Sequence, residues 1–384
     1  MSKKTTRNEQ YIDNRPTLYL AFELGVKEWK LGFSTGLGQK ARRRTIPARN
    51  LERLQEEIAA AKKRFALSEG APVMSCYEAG RDGFWLHRYL THVGIRNLVV
   101  DSSSIEVNRR LRRTKSDRLD VEKLLTMLIR FQLGEKKIWS VLHVPSAEDE
   151  DRRQLHRELR TLKKEKGRTT NRIKGLLANQ GIRLEAPMKL SDSQLETIRL
   201  WDGAPLPPAL KSRLRRDWKH VLFLKHQIAT LESERNRILK KSNEPNVQKV
   251  QQLALLRGIG ENGSWVFVQE FFGWRKFRNR REIGSLSGLT PTPYQSGELM
   301  HEQGISKAGN RHVQVMAVEL AWCWLRFQPD SKLSLWFMKR FADGGPVARK
   351  IGIVALARRL LIDLWRFLET GVIPEGAQLK TEKA

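Results

Sequence analysis

Asp117 and Asp120 stand three residues apart in "RTKSDRLDVEKLL" (residues 113–125), directly behind Arg109, Arg110, Arg112, Arg113 and Lys115. On a helix, residues at this spacing share one face. Two further acids sit in apolar surroundings: Glu23 between Phe22 and Leu24, and Glu78 at the end of "PVMSCYE" (72–78). Singly, each has an ordinary explanation, such as a solvated face or an N-cap for Asp117. Together in one pocket they would repel by about 4 kcal/mol per adjacent pair at an effective dielectric near 20. Two divalent cations would offset that charge, and oxygen ligands suit Mg²⁺ or Mn²⁺. Such a pair of ions can activate an attacking oxygen and stabilise a leaving one in phosphoryl transfer.

Positioning those four carboxylates is a matter for the elements around them. "TLYLAFELGV" (17–26) and "WKLGFST" (29–35) read as strands, as does "ARRRTIPA" (41–48), from their apolar and β-branched content. "NLERLQEEIAAAKKRFAL" (50–67) reads as a helix with Asn50 as N-cap and Leu51, Leu54, Ile58 and Phe65 near helical spacing. Then come a strand at 72–78, a helix at 83–94, a strand at 97–101, and helical "SIEVNRRLRR" and "DRLDVEKLLTMLIRF". Three strands, helix, strand, helix, strand, helix is the order of the ribonuclease H-like fold. In nucleases of that fold the acids lie on the first strand, at the end of the fourth strand and on the last helix, the positions of Glu23, Glu78, Asp117 and Asp120.

The composition narrows the partners. Lys and Arg number 71 against 42 Asp and Glu, a formal net charge of +29 that repels itself unless a polyanion neutralises it. No apolar run approaches the ~18–20 residues of a membrane span, and the polar start "MSKKTTRNEQ" lacks a signal-peptide core. The expectation is a cytoplasmic protein whose partner is nucleic acid, with Cys76 and Cys323 as buried free thiols. The expected division is a disordered arm (1–16), an α/β domain (17–144), a helical, coiled-coil-like linker and dimerisation region (145–245) and a mainly helical C-terminal domain (246–384). In the linker, Leu155, Leu159 and Leu162 form one stripe, and Leu214, Trp218, Val221, Ile228, Leu231 and Ile238 a second, with the spacing of a coiled-coil-like hairpin or of a plain bundle. "LALLRGIGENGSWVFVQEF" resembles a helix-hairpin-helix, whose glycines admit a backbone phosphate, or a tight turn between packed helices. Residues 287–310 read as a loop, followed by helices near 309–327 and 346–370. Trp322 and Trp324 are expected in the core.

"YEAGRDGFWL" and "KSDRLDVEKL" are similar to the YEATG and KTDxxDA segments of DEDD-type insertion-sequence transposases, a family related to the Piv DNA invertase. "LLRGIG", "FRNRREIGSLSGLTP", "GLTPTPYQSGELMHEQGISKAGN" and "VARKIGIVALARRLL" match in the same order, so the resemblance covers nearly the whole chain. It implies a RuvC-like N-terminal domain and a C-terminal transposase domain. By position it assigns the four acids to Glu23, Glu78, Asp117 and Asp120, and the nucleophilic serine to Ser296 in "PYQSGE". The family normally has Asp in the first strand where this chain has Glu23, and Asp101 is a distant substitute. The implied chemistry is attack of Ser296 on a DNA phosphodiester, with Mg²⁺ or Mn²⁺, to leave a 5′-phosphoserine link and a free 3′-hydroxyl. The implied partners are double-stranded DNA at element ends and target, a bridge RNA, and further copies of the chain as a dimer or tetramer.

The residues taken alone leave more room. Ser296 before Gly297 also suits an ordinary turn, and no Ser-His-Asp arrangement adjoins it, although His301 is near. Arg109, Arg110, Arg112, Arg113 and Lys115 could hold a scissile strand. Lys307, Arg311 and His312, with Ser306 as a cap, could bind phosphate where a helix opens. Two other readings stand beside recombination: a RuvC-like endonuclease that only hydrolyses, and a non-catalytic nucleic-acid-binding protein, which Glu23 favours.

Overall fold

The computed structural model describes residues 16–105, 117–183, 190–296, 299–306 and 309–380. The chain divides at Val144/Pro145 into two compact units.

The first unit runs β1 (Leu18–Leu24), β2 (Glu28–Ser34), β3 (Arg42–Pro47), α1 (Leu51–Arg64), β4 (Val73–Glu78), α2 (Trp85–His92), β5 (Arg96–Val100) and α3 (Asp117–Gln132), in the expected order. Ser104, where a helix was expected to begin, ends a 3₁₀ turn (Ser102–Ser104); the rest of that stretch, from residue 106, lies outside the described residues. The five strands form one mixed sheet, in the order β3-β2-β1-β4-β5. β1 is antiparallel to β2 and parallel to β4, and β4 is parallel to β5.

Alternation along β1 explains why both faces are covered. Leu18, Leu20 and Phe22 pack with Leu54 and Ile58 of α1 and with Leu86 and Leu90 of α2. Tyr19 and Ala21 join Met74 and Cys76 on the other face, under Val121, Leu124, Leu125 and Leu128 of α3. Gly32 of β2 lets α3 come close, since a Cβ there would meet Cγ1 of Val121 at 2.5 Å.

The second unit contains α4 (Ala147–Asp151), α5 (Gln154–Ala178), α6 (Asp192–Thr197) and α7 (Pro208–Lys241). The long α5 and α7 pack against each other within the chain, as either a coiled-coil-like hairpin or a plain bundle requires. The buried stripe differs in part from the expected one. On α5 it is His156, Leu159, Thr169, Ile173 and Leu177, with Leu155 and Leu162 only half-buried.

Then follow α8 (Pro245–Ala254), α9 (Glu261–Phe267), a π turn (Val268–Phe272) and α10 (Arg280–Leu286). Gly258, between α8 and α9, has φ +82°, and a Cβ there would lie 3.0 Å from Cβ of Phe327 and 3.2 Å from the Cys323 carbonyl oxygen. Packing within the chain therefore accounts for that glycine.

Four expectations need correction here. Residues 287–310 are not a plain loop, because β6 (Pro291–Ser296) and β7 (Leu299–Ile305) pair as an antiparallel hairpin. Two helices were expected afterwards and three are present: α11 (Arg311–Phe327), α12 (Lys332–Phe341) and α13 (Pro346–Thr370). Trp324 is 0% exposed but Trp322 is 49% exposed, because α11 turns only one face to the core. Cys76 is buried, whereas Cys323 is half-buried. Among the described residues, no helix is long and apolar enough to cross a membrane.

Candidate active site

Glu23 extends the Tyr19–Ala21 alternation and Glu78 extends Met74–Cys76, so both belong to the face that α3 covers. The parallel register pairs Ala21 with Cys76 and Phe22 with Tyr77, so its continuation sets Glu23 beside Glu78 at the ends of neighbouring strands. Such strands lie about 4.8 Å apart. Glu23 is half-buried and Glu78 exposed, and neither lacks a partner.

The helix meets this face through its second turn. Val121 lies over Gly32, the register partner of Ala21, and the Cys76 thiol donates to the Leu124 carbonyl oxygen at 3.7 Å. Half-buried Asp120 directly precedes Val121, the residue that packs over Gly32. Asp117 is the first residue of α3; its side chain lies outside the described residues, as do Arg109, Arg110, Arg112, Arg113 and Lys115. Among the described residues no three His, Cys, Asp or Glu side chains form a group able to hold a metal. Asp101 is engaged elsewhere, as the cap of the 3₁₀ turn. Its Oδ1 accepts from the Ser103 amide at 2.9 Å and from the Ser103 hydroxyl at 2.8 Å.

Ser296 is the last residue of β6 and pairs with Leu299 across residues 297–298; its side chain and that of His301 lie outside the described residues. The base of the hairpin is closely fixed. The Ser306 amide donates to the Thr290 carbonyl at 2.8 Å, and the Asn310 amide to the Leu286 carbonyl at 3.0 Å. Gly309 has φ +102°, and a Cβ there would stand 2.5 Å from the Gly288 nitrogen. The cap of α11 is Asn310, not Ser306: its Oδ1 accepts from the amides of His312 at 2.9 Å and Val313 at 3.3 Å. Exposed Arg311 opens that helix, while Lys307 lies outside the described residues.

The sequence reading missed Glu270. It sits in the π turn with 0% exposure and is hydrogen-bonded by three residues from two elements, α5 and the cap of α11. His156 Nε2 lies 2.8 Å from its Oε1, Arg157 donates through Nε at 2.7 Å and Nη2 at 2.9 Å, and Asn310 Nδ2 donates at 2.8 Å. Burial would raise its pKa, but the hydrogen bonds from His156, Arg157 and Asn310 and the Arg157 charge hold the carboxyl well below the usual range. Beside it, the Arg153 and Arg275 guanidiniums stand 4.9 and 4.2 Å from the Trp274 ring centroid. Burial, then the charge of Arg153, pushes Arg275 down to about 10. A signal for Glu270 was present: an acid inside apolar "WVFVQEFF" (265–272) is a buried charge in want of partners.

Relatives give this geometry its setting. The family model described as transposase IS116/IS110/IS902 family matches residues 250–334, which span α9, the π turn, the hairpin and α11. "Putative transposase y4rJ" of Sinorhizobium fredii is 38% identical over 376 residues, 95% of each chain. The transposase for insertion sequence element IS1328 of Yersinia enterocolitica is 26% identical over 44% of this chain and 48% of its own. The transposase for insertion sequence element IS1111A of Coxiella burnetii is 24% identical over 73% of this chain and 74% of its own. A DNA-processing class of protein is thereby defined. The chain belongs to the IS116/IS110/IS902 family of insertion-sequence transposases.

Proposed function

We propose that this transposase is a serine recombinase with a ribonuclease H-like first unit, in which Ser296 attacks a DNA phosphodiester. The observation that carries the reading is the placement of Glu23 and Glu78 towards the ends of the parallel neighbours β1 and β4, on the face covered by α3, whose first turn holds Asp117 and Asp120. The sheet order β3-β2-β1-β4-β5, with β1 antiparallel to β2 and parallel to β4, supports the ribonuclease H-like assignment.

These four oxygen donors fit a hard divalent cation. Glu23, Glu78, Asp117 and Asp120 would hold Mg²⁺ or Mn²⁺, and the ions, when bound, supply charge stabilisation to phosphoryl transfer. Glu23 is longer than the Asp usual at its position, and it is half-buried near the end of β1. Ser296 contributes the nucleophile. Its oxygen forms a bond to phosphorus as the bond to the 3′ oxygen breaks; the hydroxyl gives up its proton and the departing oxygen takes one up. The product is a 5′-phosphoserine ester and a 3′-hydroxyl, which can be rejoined without outside energy. The net charge of +29 suits double-stranded DNA and a guide such as the bridge RNA that the family resemblance implies. Phosphate contacts do not read sequence, so target choice falls to such a guide. Exchange of two strands requires at least two copies of the chain.

The test is the search for covalent protein–DNA adducts in cells that carry the native flanking DNA, comparing wild type, Ser296→Ala and Asp120→Ala. The expected outcome is an adduct in wild type that both variants lose. DNA cut without any adduct, unaffected by Ser296→Ala and lost in Asp120→Ala, would make the protein a hydrolytic nuclease.

A further inference from the structure

We propose that Glu270 is a positioning residue for the nucleophile: by holding Asn310, it fixes the base of the β6–β7 hairpin that ends in Ser296. This inference rests on the reading of Ser296 as nucleophile.

The Asn310 side chain is bound at both ends. Its Oδ1 caps α11, and its Nδ2 donates to Glu270 Oε2 at 2.8 Å. Its backbone amide is bound to Leu286, and Gly309 beside it packs on Gly288, so Asn310 joins both limbs of the hairpin base. Glu270 in turn is fixed by His156 and Arg157 of α5. The joint therefore links the hairpin to the long helix through one buried carboxylate. An apolar side chain would pack in the π turn at lower cost, since a buried ion pair seldom adds net stability. What a carboxylate adds is direction: four hydrogen bonds fix where Asn310 can lie.

The lever arm makes this matter. Six residues of strand span about 20 Å, so a rotation of about 5° at the base moves the tip by nearly 2 Å. A displacement of ~1 Å from attack geometry can cost about a hundredfold in rate.

The experiment uses the whole chain with any RNA that copurifies and duplex DNA bearing the native flanks. The rate of adduct formation at saturating DNA and the half-saturating DNA concentration are measured for wild type, Asn310→Asp, Glu270→Gln and the double variant. Asp caps a helix as well as Asn does, so Asn310→Asp keeps the cap while turning an acceptor towards Glu270. Its rate should fall about a hundredfold with half-saturation unchanged. In the double variant the new amide at position 270 donates to the new carboxylate at position 310 but also faces Arg157 Nη2. The hydrogen bond to residue 310 thus returns while one from Arg157 is lost, and the rate should recover in part, by about tenfold over Asn310→Asp. Asn310→Ser, which keeps a cap and removes the donor without adding charge, is the second arm; it should slow adduct formation by about tenfold or more at unchanged half-saturation. Faster hydrogen exchange at residues 291–306, with α11 unchanged, should accompany both losses.

A wild-type rate in Asn310→Asp and Asn310→Ser overturns the inference, as does a double variant slower than either single one. If wild type forms adducts that Ser296→Ala abolishes, such results count against Glu270 alone. Adducts retained in Ser296→Ala, or absent from wild type, overturn the nucleophile and this inference with it.

Discussion

A carboxylate with no exposed surface must be held ionised by its neighbours or give up its charge. Glu270 is held, and the sign of its pH effect follows. Its folded pKa lies below the ordinary 4.5, so its stabilising contribution is present above that value and is lost as pH falls towards the folded pKa. Urea titrations should show wild type losing stability between about pH 5 and pH 3 more steeply than Glu270→Gln. At about pH 7, Glu270→Ala should cost on the order of 3 kcal/mol, because Arg157 and Asn310 lose their acceptor. Cys76 makes a contrasting case. Burial alone pushes its thiol up, so iodoacetamide should leave Cys76 unlabelled in the native protein and modify it after unfolding, as peptide masses would show. Glu270 was legible only as an anomaly of composition. Its partners come from positions 114 residues earlier and 40 residues later, and nothing local in the sequence pairs them.

Elements were legible where the local pattern agreed with the tertiary demand. β1, β4 and α1 are apolar or periodic in themselves, and their observed bounds fall within a few residues of the expected ones. The β6–β7 hairpin was not, since Pro291 and Pro293 lack amide donors and read as loop residues. A register shift between those prolines is how the strand tolerates them. The closeness of α3 to the sheet was equally hidden, because Gly32 looks like any strand glycine until Val121 is seen above it. Gly32→Ala should therefore lift α3, costing about 1–3 kcal/mol of stability. If Asp120 acts with Glu23 and Glu78 as proposed, DNA cleavage should fall with it. Val121→Ala, by making room for the new methyl, should recover part of both in denaturation and cleavage assays.

The whole chain carries a net charge of +29, and here the sequence was fully informative. If six to ten phosphates are contacted, affinity for DNA should drop by about 10³–10⁵ between 50 and 200 mM salt, a slope that fluorescence anisotropy would measure. Chelation of divalent cations should abolish adducts while leaving that binding in place. The two units have separate buried cores, one set drawn from residues 18–144 and the other from residues beyond 172. Their order along the chain has a consequence in time. Glu23, Glu78, Asp117 and Asp120 all precede Val144, and Ser296 follows it. At a synthesis rate of roughly 5–20 residues per second, the ribosome needs on the order of ten to fifty seconds to complete the second unit once the first has emerged. On the proposed reading, a nascent chain holds its acids folded while its serine is still unmade, so a truncated product of interrupted translation would lack the nucleophile.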